Sequence, residues 1–170
     1  MIYEPAEDSY LLQEQLKNFV KPGMKVLDMG TGSGIQAKTA KELGAEVLAV
    51  DINEGCVEHV KNLEIDTIQS NLFSKVTGKF DIIIFNPPYL PEDPREPEDS
   101  ARSTTGGKTG SEVLNRFLET AKDYLNENGK LIIVVSSLTK GINKEGYTFK
   151  KLSEQKIDFE NLITYLIESN

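Results

Sequence analysis

The sequence contains little that could build a metal centre, a disulfide or a membrane anchor. Cys56 is its only cysteine and His59 its only histidine. An internal disulfide is therefore impossible and a histidine-rich metal site is excluded, so we assign no metal ligand. No apolar stretch approaches the ~18 residues of a membrane span, and the acidic N-terminus has no signal-peptide core. We expect a protein of the reducing cytoplasm with no attachment to a membrane.

Positive charge is scarce as well. Lys and Arg number 19 against 27 for Asp and Glu, which gives a formal net charge of −8. A nucleic-acid binder usually shows a basic stripe, because contacts with phosphates supply much of its affinity. The sequence has no run of Lys or Arg, so its composition argues against a nucleic-acid partner. Its length and ordinary aliphatic content suit one folded domain, which we expect to span residues 1–170.

Predicted helices and strands alternate along most of the chain. The helical patterns cover residues 5–19, 36–44, 53–62 and 111–125, and the strand patterns cover 25–29, 46–50, 66–69, 80–85 and 130–137. Most of these strands are continuously apolar, which is typical of a parallel sheet covered on both faces. Only DFE separates 148–157 from 161–168, and this is too short for a helical crossover. We therefore predict a mostly parallel α/β sheet with an antiparallel C-terminal strand pair.

A glycine-rich loop follows the first predicted strand in the stretch VLDMGTGSG, residues 26–34. Gly30, Gly32 and Gly34 lie between that strand and the next helix, where glycines let the backbone approach a ligand closely. The second strand ends in Asp51, which is suitably placed to accept hydrogen bonds from ribose hydroxyls. The two features together predict a nucleotide-like ligand at the carboxyl ends of the strands.

The loop alone leaves two ligand classes open. The spacing from Gly32 through Gly34 to Ala37 can be threaded onto the dinucleotide fingerprint of a dehydrogenase. Asp28, however, puts a carboxylate at the strand end, where it is awkward for a pyrophosphate and suits a cationic amino acid. The pattern VLDxGxGxG, followed by Asp51, resembles the first motifs of class I S-adenosylmethionine methyltransferases.

The buried strand at 80–85 ends abruptly in NPPY, residues 86–89. The Asn86 side chain offers an amide oxygen, and Pro87 offers a carbonyl oxygen without an N–H of its own. Two converging acceptors can hold both hydrogens of a planar –NH2 group and leave its nitrogen lone pair aimed at an electrophilic methyl. Tyr89 could stack on the planar group. A proline-rich strand exit capped by asparagine is the simpler alternative.

NPPY resembles the motif of methyltransferases that act on nitrogens conjugated to a π system. YEPAEDSYLL (3–12) and GGKTGSEVLNRFL (106–118) are similar to the HemK family of protein-glutamine methyltransferases, in its short archaeal and eukaryotic branch. The resemblance covers nearly the whole chain, and we expect no counterpart of the N-terminal helical domain that the bacterial members carry. It implies a Rossmann-like class I fold with seven strands, and S-adenosylmethionine as the cofactor. The implied substrate is the glutamine of the GGQ motif in class 1 release factors.

The resemblance also implies roles for individual residues. The implied cofactor-binding residues are Ser9, Asp28, Gly30, Gly32, Asp51, Asn71, Leu72 and Asn86; the implied catalytic residues are Asn86, Pro87 and Tyr89. Ser9 would hold the methionine end of the cofactor, with Asp28 and Gly30 near its amino-acid moiety. Asn71 stands where the family has an aspartate that binds the adenine amino group, so the adenine contact here rests on a neutral amide oxygen.

A small zinc-binding activator subunit is the implied partner, which predicts a heterodimer. In accord with this, the last crossover, LTKGINKEGY (138–147), is shorter than the family's helix and could leave apolar surface uncovered. We expect the acidic loop 91–102 to face the substrate. The alternatives are N6-adenine methylation of DNA or another nucleic acid, methylation of a protein lysine, and a non-catalytic cofactor-binding scaffold.

Overall fold

The computed structural model describes residues 2, 4–88 and 109–170, so Tyr89 and the loop 91–102 lie outside the described residues. The helices within these ranges are α1 (Glu7–Phe19), α2 (Ile35–Glu42), α3 (Glu54–Lys61) and α4 (Glu112–Ala121). The strands are β1 (Lys25–Met29), β2 (Glu46–Asp51), β3 (Asp66–Gln69), β4 (Phe80–Phe85), β5 (Leu125–Ser136), β6 (Tyr147–Ile157) and β7 (Glu160–Ser169).

The seven strands form one sheet in the order β3-β2-β1-β4-β5-β7-β6. β1 to β5 pair in parallel, and β7 runs antiparallel to both β5 and β6. This confirms the predicted fold, a mostly parallel Rossmann-like sheet with an antiparallel C-terminal pair. β1 lies between β2 and β4, so the direction of winding reverses beside it. Ligands of open α/β sheets bind at the carboxyl ends of the strands at such a reversal.

Both faces of the sheet are covered, which explains the continuous apolar runs. On one face, the buried Phe117 and Leu114 of α4 pack in the same cluster as Leu27 and Ile83. On the other face, Leu12 of α1 belongs to a cluster with residues of β1, β4 and β5. Successive strand residues point to opposite faces, so a strand between two helical layers needs apolar side chains at every position.

The boundary between α4 and β5 differs from the sequence prediction. The predicted helix 111–125 ends at Ala121, a 3-10 turn follows at Lys122–Tyr124, and β5 begins at Leu125 rather than 130. Leu125 pairs with Phe80 across an irregular register that includes a left-handed residue, Asn128, at φ 64°. Such a bulge interrupts the alternation along a strand, so sequence periodicity cannot show the pairing beyond it.

The crossover from β5 to β6 has no helix, as expected from its two glycines. Residues 137–146 form turns and irregular backbone, and the Leu138 side chain in this segment is 39% exposed. Ile142 packs against the core cluster under α4, so the segment covers part of that face. Among the described residues, no helix is long and apolar enough to cross a membrane.

Candidate active site

The predicted ligand loop and residues 86–88, which follow β4, meet at one edge of the sheet. Met29 at the end of β1 pairs with Phe85 at the end of β4 on one side and with Val50 of β2 on the other. The residues that follow these three strands therefore begin side by side. The structure thus brings together the glycine loop, Asp51 and Asn86, which are far apart in sequence.

Glycine is required at both ends of the loop. Gly30 has φ 68° and Gly34 has φ 86°, in the left-handed region that other residues rarely adopt. A Cβ on Gly34 would also lie 3.1 Å from side-chain atoms of Val60 and Leu63. The chain turns sharply here and enters α2 at Ile35, so the N-terminus of α2 lies against the same edge of the sheet.

Asp28 is buried inside this turn, with only 2% of its surface exposed. Its Oδ2 accepts hydrogen bonds from Thr31 Oγ1 at 2.8 Å and from the Ala37 backbone N–H at 3.1 Å. Burial raises the pKa of its carboxyl to about 7; the charge of Asp51 acts in the same direction, and the two hydrogen bonds oppose the rise. Asp28 therefore ties β1 to the loop and to α2, while its predicted proximity to the cofactor's amino-acid moiety stays a prediction.

Asp51 supports the loop from the next strand and remains half-buried. Its Oδ2 accepts a hydrogen bond from the Gly32 N–H at 2.9 Å, and its Oδ1 accepts one from the Asn53 N–H at 2.9 Å. A carboxylate has about four acceptor positions, so each oxygen keeps one for a further donor. The arrangement fits the predicted binding of two ribose hydroxyls.

The Asn71–Leu72 pair follows β3 at the same edge. Asn71 is exposed, and its Oδ1 accepts a hydrogen bond from Arg116 Nη2 of α4 at 3.3 Å. Leu72 has φ 50°, and its carbonyl oxygen accepts a hydrogen bond from Ser70 Oγ at 2.8 Å, which helps hold this unusual backbone. Sequence reasoning missed Arg116, because its position in α4 gives no indication of this contact.

Ser9 is enclosed within the first turn of α1. It is 2% exposed; its Oγ accepts a hydrogen bond from the Ala6 N–H at 3.3 Å, and its carbonyl oxygen accepts one from Gln36 Nε2 at 2.8 Å. Gln36 Oε1 is buried and has no hydrogen-bond partner among the residues that the structure describes. Ser9 therefore joins α1 to α2 beside the glycine loop, and its contact with the cofactor stays a prediction.

Asn86 is half-buried at the end of β4, and Pro87 after it is buried. Asn86 Nδ2 donates a hydrogen bond to Asp8 Oδ2 at 3.3 Å. The Asp8 side chain is 4% exposed, and its Oδ1 accepts a hydrogen bond from the Ser9 N–H at 2.8 Å. Asp8 was not predicted from the sequence to belong to the site, although it lies next to Ser9 in the PAEDS stretch.

The edge of the sheet around these residues is acidic. Burial raises the pKa of Glu160, at the start of β7, and the nearby charge of Asp8 adds to this rise. The half-buried carboxylate of Asp51 and the Asp8 carboxylate beside Asn86 favour a positively charged ligand. S-adenosylmethionine carries an ammonium and a sulfonium, and its ribose needs hydrogen-bond acceptors. The donor and acceptor set of this edge therefore fits that cofactor better than an anionic dinucleotide.

Comparison with known proteins supports the same assignment. A family model described as methyltransferase small domain matches residues 6–157. The chain belongs to this family. A Methanocaldococcus jannaschii protein, provisionally named a protein N5-glutamine methyltransferase, is 42% identical over 178 aligned residues, covering 95% of this chain and 89% of that protein.

Two further relatives are named for release factors. The release factor glutamine methyltransferase of Rhodopirellula baltica is 35% identical over 144 residues, covering 73% of this chain and 48% of its own. A chain of the E. cuniculi Mtq2–Trm112 complex, which is responsible for methylation of the termination factor eRF1, superimposes with a TM-score of 0.80 at 26% identity, covering 99% of both chains. The resemblance to HemK-family enzymes is confirmed, and this methyltransferase small domain protein is an enzyme whose cofactor is S-adenosylmethionine.

Proposed function

We propose that this chain methylates the side-chain amide nitrogen of the GGQ glutamine in a class 1 release factor, with residues 1–170 acting as one domain. The observation that carries the proposal is the position of Asn86 and Pro87 beside the glycine loop, at the reversal point of the sheet. Two relatives that act on release factors, one of them by name a glutamine methyltransferase, support the substrate class.

The proposed chemistry depends mainly on positioning. The Asn86 Oδ1 and the Pro87 carbonyl oxygen each accept a hydrogen bond from one N–H of the glutamine amide, and so turn its nitrogen lone pair out of conjugation. When bound, S-adenosylmethionine supplies an electrophilic methyl group. Transfer of that methyl would exchange its bond to sulfur for a bond to the amide nitrogen, which would then release one proton to solvent. Because the proton leaves after the bond begins to form, no histidine or lysine base is required. Orientation of this kind accounts for large rate factors.

We propose that the remaining cofactor contacts follow the order of the strands. The loop at 30–34 holds the amino-acid moiety, Asp51 binds the ribose hydroxyls, and Asn71 with Leu72 contacts the adenine. Ser9 and Asp28 support the loop and the first turn of α1, as their hydrogen bonds indicate. Tyr89, outside the described residues, completes the substrate pocket in this proposal.

The decisive experiment is incubation with labelled S-adenosylmethionine and one candidate substrate at a time. We expect label in a release factor and none in a release factor whose GGQ glutamine is replaced by alanine. Peptide mass spectrometry then locates the methyl group on that side chain. Labelling of duplex DNA or of a histone lysine, with the release factor unlabelled, would replace the proposal with one of the alternatives.

We further propose that the chain works as a heterodimer with a small zinc-binding activator subunit. The E. cuniculi relative is a complex with Trm112, and here the helix-free crossover leaves Leu138 exposed. Co-expression with such a subunit should raise both the soluble yield and the methylation rate. A chain that is fully soluble and fully active alone would contradict this part of the proposal.

A further inference from the structure

The Asn86 amide is held from the side opposite to its proposed substrate contact. Its Nδ2 lies 3.3 Å from Oδ2 of Asp8, a residue 78 positions earlier in the chain. Asp8 is only 4% exposed, so the surrounding protein encloses its carboxylate beside the amide. With the amide nitrogen directed towards α1, Oδ1 on the same planar group faces the other way.

This contact selects one of two orientations of the amide. Rotation by 180° about the last side-chain bond exchanges the oxygen and the nitrogen of an asparagine at little cost in shape. The wrong orientation would present N–H donors to the N–H donors of the target and would repel them. A carboxylate can only accept hydrogen bonds, so it pairs with the amide nitrogen and leaves the oxygen for the target.

We propose that Asp8 is a positioning residue that fixes the Asn86 amide with its oxygen towards the target nitrogen. The inference rests on the proposed function, in which that oxygen accepts a hydrogen of the target –NH2 group. Asp8 acts through Asn86 and does not itself touch the target. Its negative charge also polarises the amide, which makes Oδ1 a stronger acceptor.

Asp8 is in turn fixed by its surroundings. Its Oδ1 accepts the Ser9 N–H, and the Ser9 carbonyl oxygen accepts Gln36 Nε2 of α2 at 2.8 Å. A carboxylate in the first helical turn is also favoured by the positive end of the helix dipole. The first turn of α1 thus links the start of α2, which follows the glycine loop, to Asn86 at the end of β4. This link would keep the cofactor-binding residues and the target-binding residues at a fixed distance from each other.

A substrate-free measurement tests the orientation directly. Asp8→Asn keeps the shape of the side chain, but an amide at position 8 can donate or accept and no longer selects one orientation. We expect the ¹⁵N–¹H₂ side-chain signal of Asn86, assigned by its loss in Asn86→Asp, to shift or split in Asp8→Asn. Glu7→Gln removes an exposed negative charge from the same helical turn and should leave the signal in place. An unchanged Asn86 signal in Asp8→Asn would overturn the proposal.

An exchange of the two side chains tests the consequence for the reaction. Asn86→Asp alone places two carboxylates against each other and removes the donor between them. Adding Asp8→Asn restores one donor–acceptor pair, so the double variant should methylate about tenfold or more faster than Asn86→Asp at saturating cofactor. If the losses of methylation rate in the two single variants simply add in the double variant, Asp8 has a structural role only. The same conclusion would follow if a lowered cofactor affinity accounted for the whole effect of Asp8→Asn.

The two arms also separate this inference from the proposed function. The spectroscopic arm uses no substrate, so its result stands whether or not the release factor is methylated. In the kinetic experiment, methylation rates are measured with whichever substrate the unmodified chain methylates. A failure of the release factor as substrate, with the exchange still restoring activity, would reject the proposed function and retain the role of Asp8.

Discussion

The glycine loop and the exit of β4 lie at the same edge of the sheet, but they are held in different ways. The loop is fixed by several hydrogen bonds to Asp28 and Asp51, and the partners of these bonds are at most 19 residues apart in the chain. The Asn86 side chain is held by a bond to Asp8, 78 residues away. The glycine loop is therefore organised by its own local segment, whereas the Asn86 side chain depends on the docking of α1.

This contrast predicts where substitutions act. Changes in the loop and its supporting carboxylates should alter cofactor binding and stability together. Changes at the β4 exit should alter turnover while cofactor binding is kept.

Asn86→Ala removes the proposed amide acceptor at the end of β4. We expect methyl transfer to fall by on the order of a hundredfold or more, because the target nitrogen loses its orientation. Asn86→Asp should retain more activity than Ala, since it keeps an acceptor oxygen. Turnover of a GGQ-containing release factor at saturating cofactor is the measurement, with folding checked by circular dichroism. Parental activity in Asn86→Ala would show that NPPY is only a strand exit.

The difference between the two regions also explains what the sequence could predict. The glycine loop, the place of Asp51 at the end of the second strand and the mostly parallel sheet with its antiparallel C-terminal pair were predictable, because glycines, continuous apolar runs and short connections leave local signatures. The pairing of Asp8 with Asn86 was not, since no single segment contains both residues. Nor did the sequence show that the Arg116 side chain reaches Asn71, or that β5 begins at Leu125 behind a bulge.

Asp28 should make stability depend on pH in an unusual direction. Burial raises the pKa of its carboxyl from 3.8 to about 7, so the folded state binds a proton that the unfolded state releases between these values. This contribution lowers stability as the pH rises from about 4 to about 7, and it is constant above that range. The asparagine of Asp28→Asn cannot ionise, so this variant lacks the pH-dependent contribution to stability. Relative to the variant, the parent should lose on the order of 2–4 kcal/mol of unfolding free energy across this window.

Urea unfolding of the parent and Asp28→Asn at several pH values checks this prediction, because other titrating groups cancel in the difference. Thr31 and Ala37 can still donate to the asparagine oxygen, so the variant is expected to fold. A constant difference between pH 4 and 7 would show that Asp28 is ionised throughout the range, and would contradict the buried, proton-binding role.

Asp51→Ala tests the cofactor side at its half-buried carboxylate. The ribose hydroxyls would lose a charged acceptor, and the Gly32 N–H would lose its partner. Hydrogen bonds to charged groups contribute about 1.5–3 kcal/mol, so the dissociation constant for S-adenosylmethionine should rise roughly 10- to 150-fold. Isothermal titration calorimetry with the cofactor and with NAD is the measurement. Tight NAD binding by the parent, without a response to S-adenosylmethionine, would refute the acceptor assignments at this edge.

The smallest expected effect is at the adenine end of the site. The exposed Asn71 has one side-chain oxygen, and Arg116 already donates to it at 3.3 Å. Asn71→Asp would supply two oxygens, one for the Arg116 guanidinium and one for the adenine amino group. We therefore expect cofactor binding to tighten about two- to fivefold, a modest gain because solvent competes for exposed polar groups.

Arg116→Ala provides the matched test of that explanation. Without the guanidinium, the single oxygen of Asn71 is available to the adenine, so Asn71→Asp in this background should gain less than in the parent. Calorimetric affinities of the four chains form a double-mutant cycle that measures the difference. An equal gain in both backgrounds would mean that Arg116 does not occupy the acceptor, and that the Asn71 side chain has no competing partner when the adenine binds.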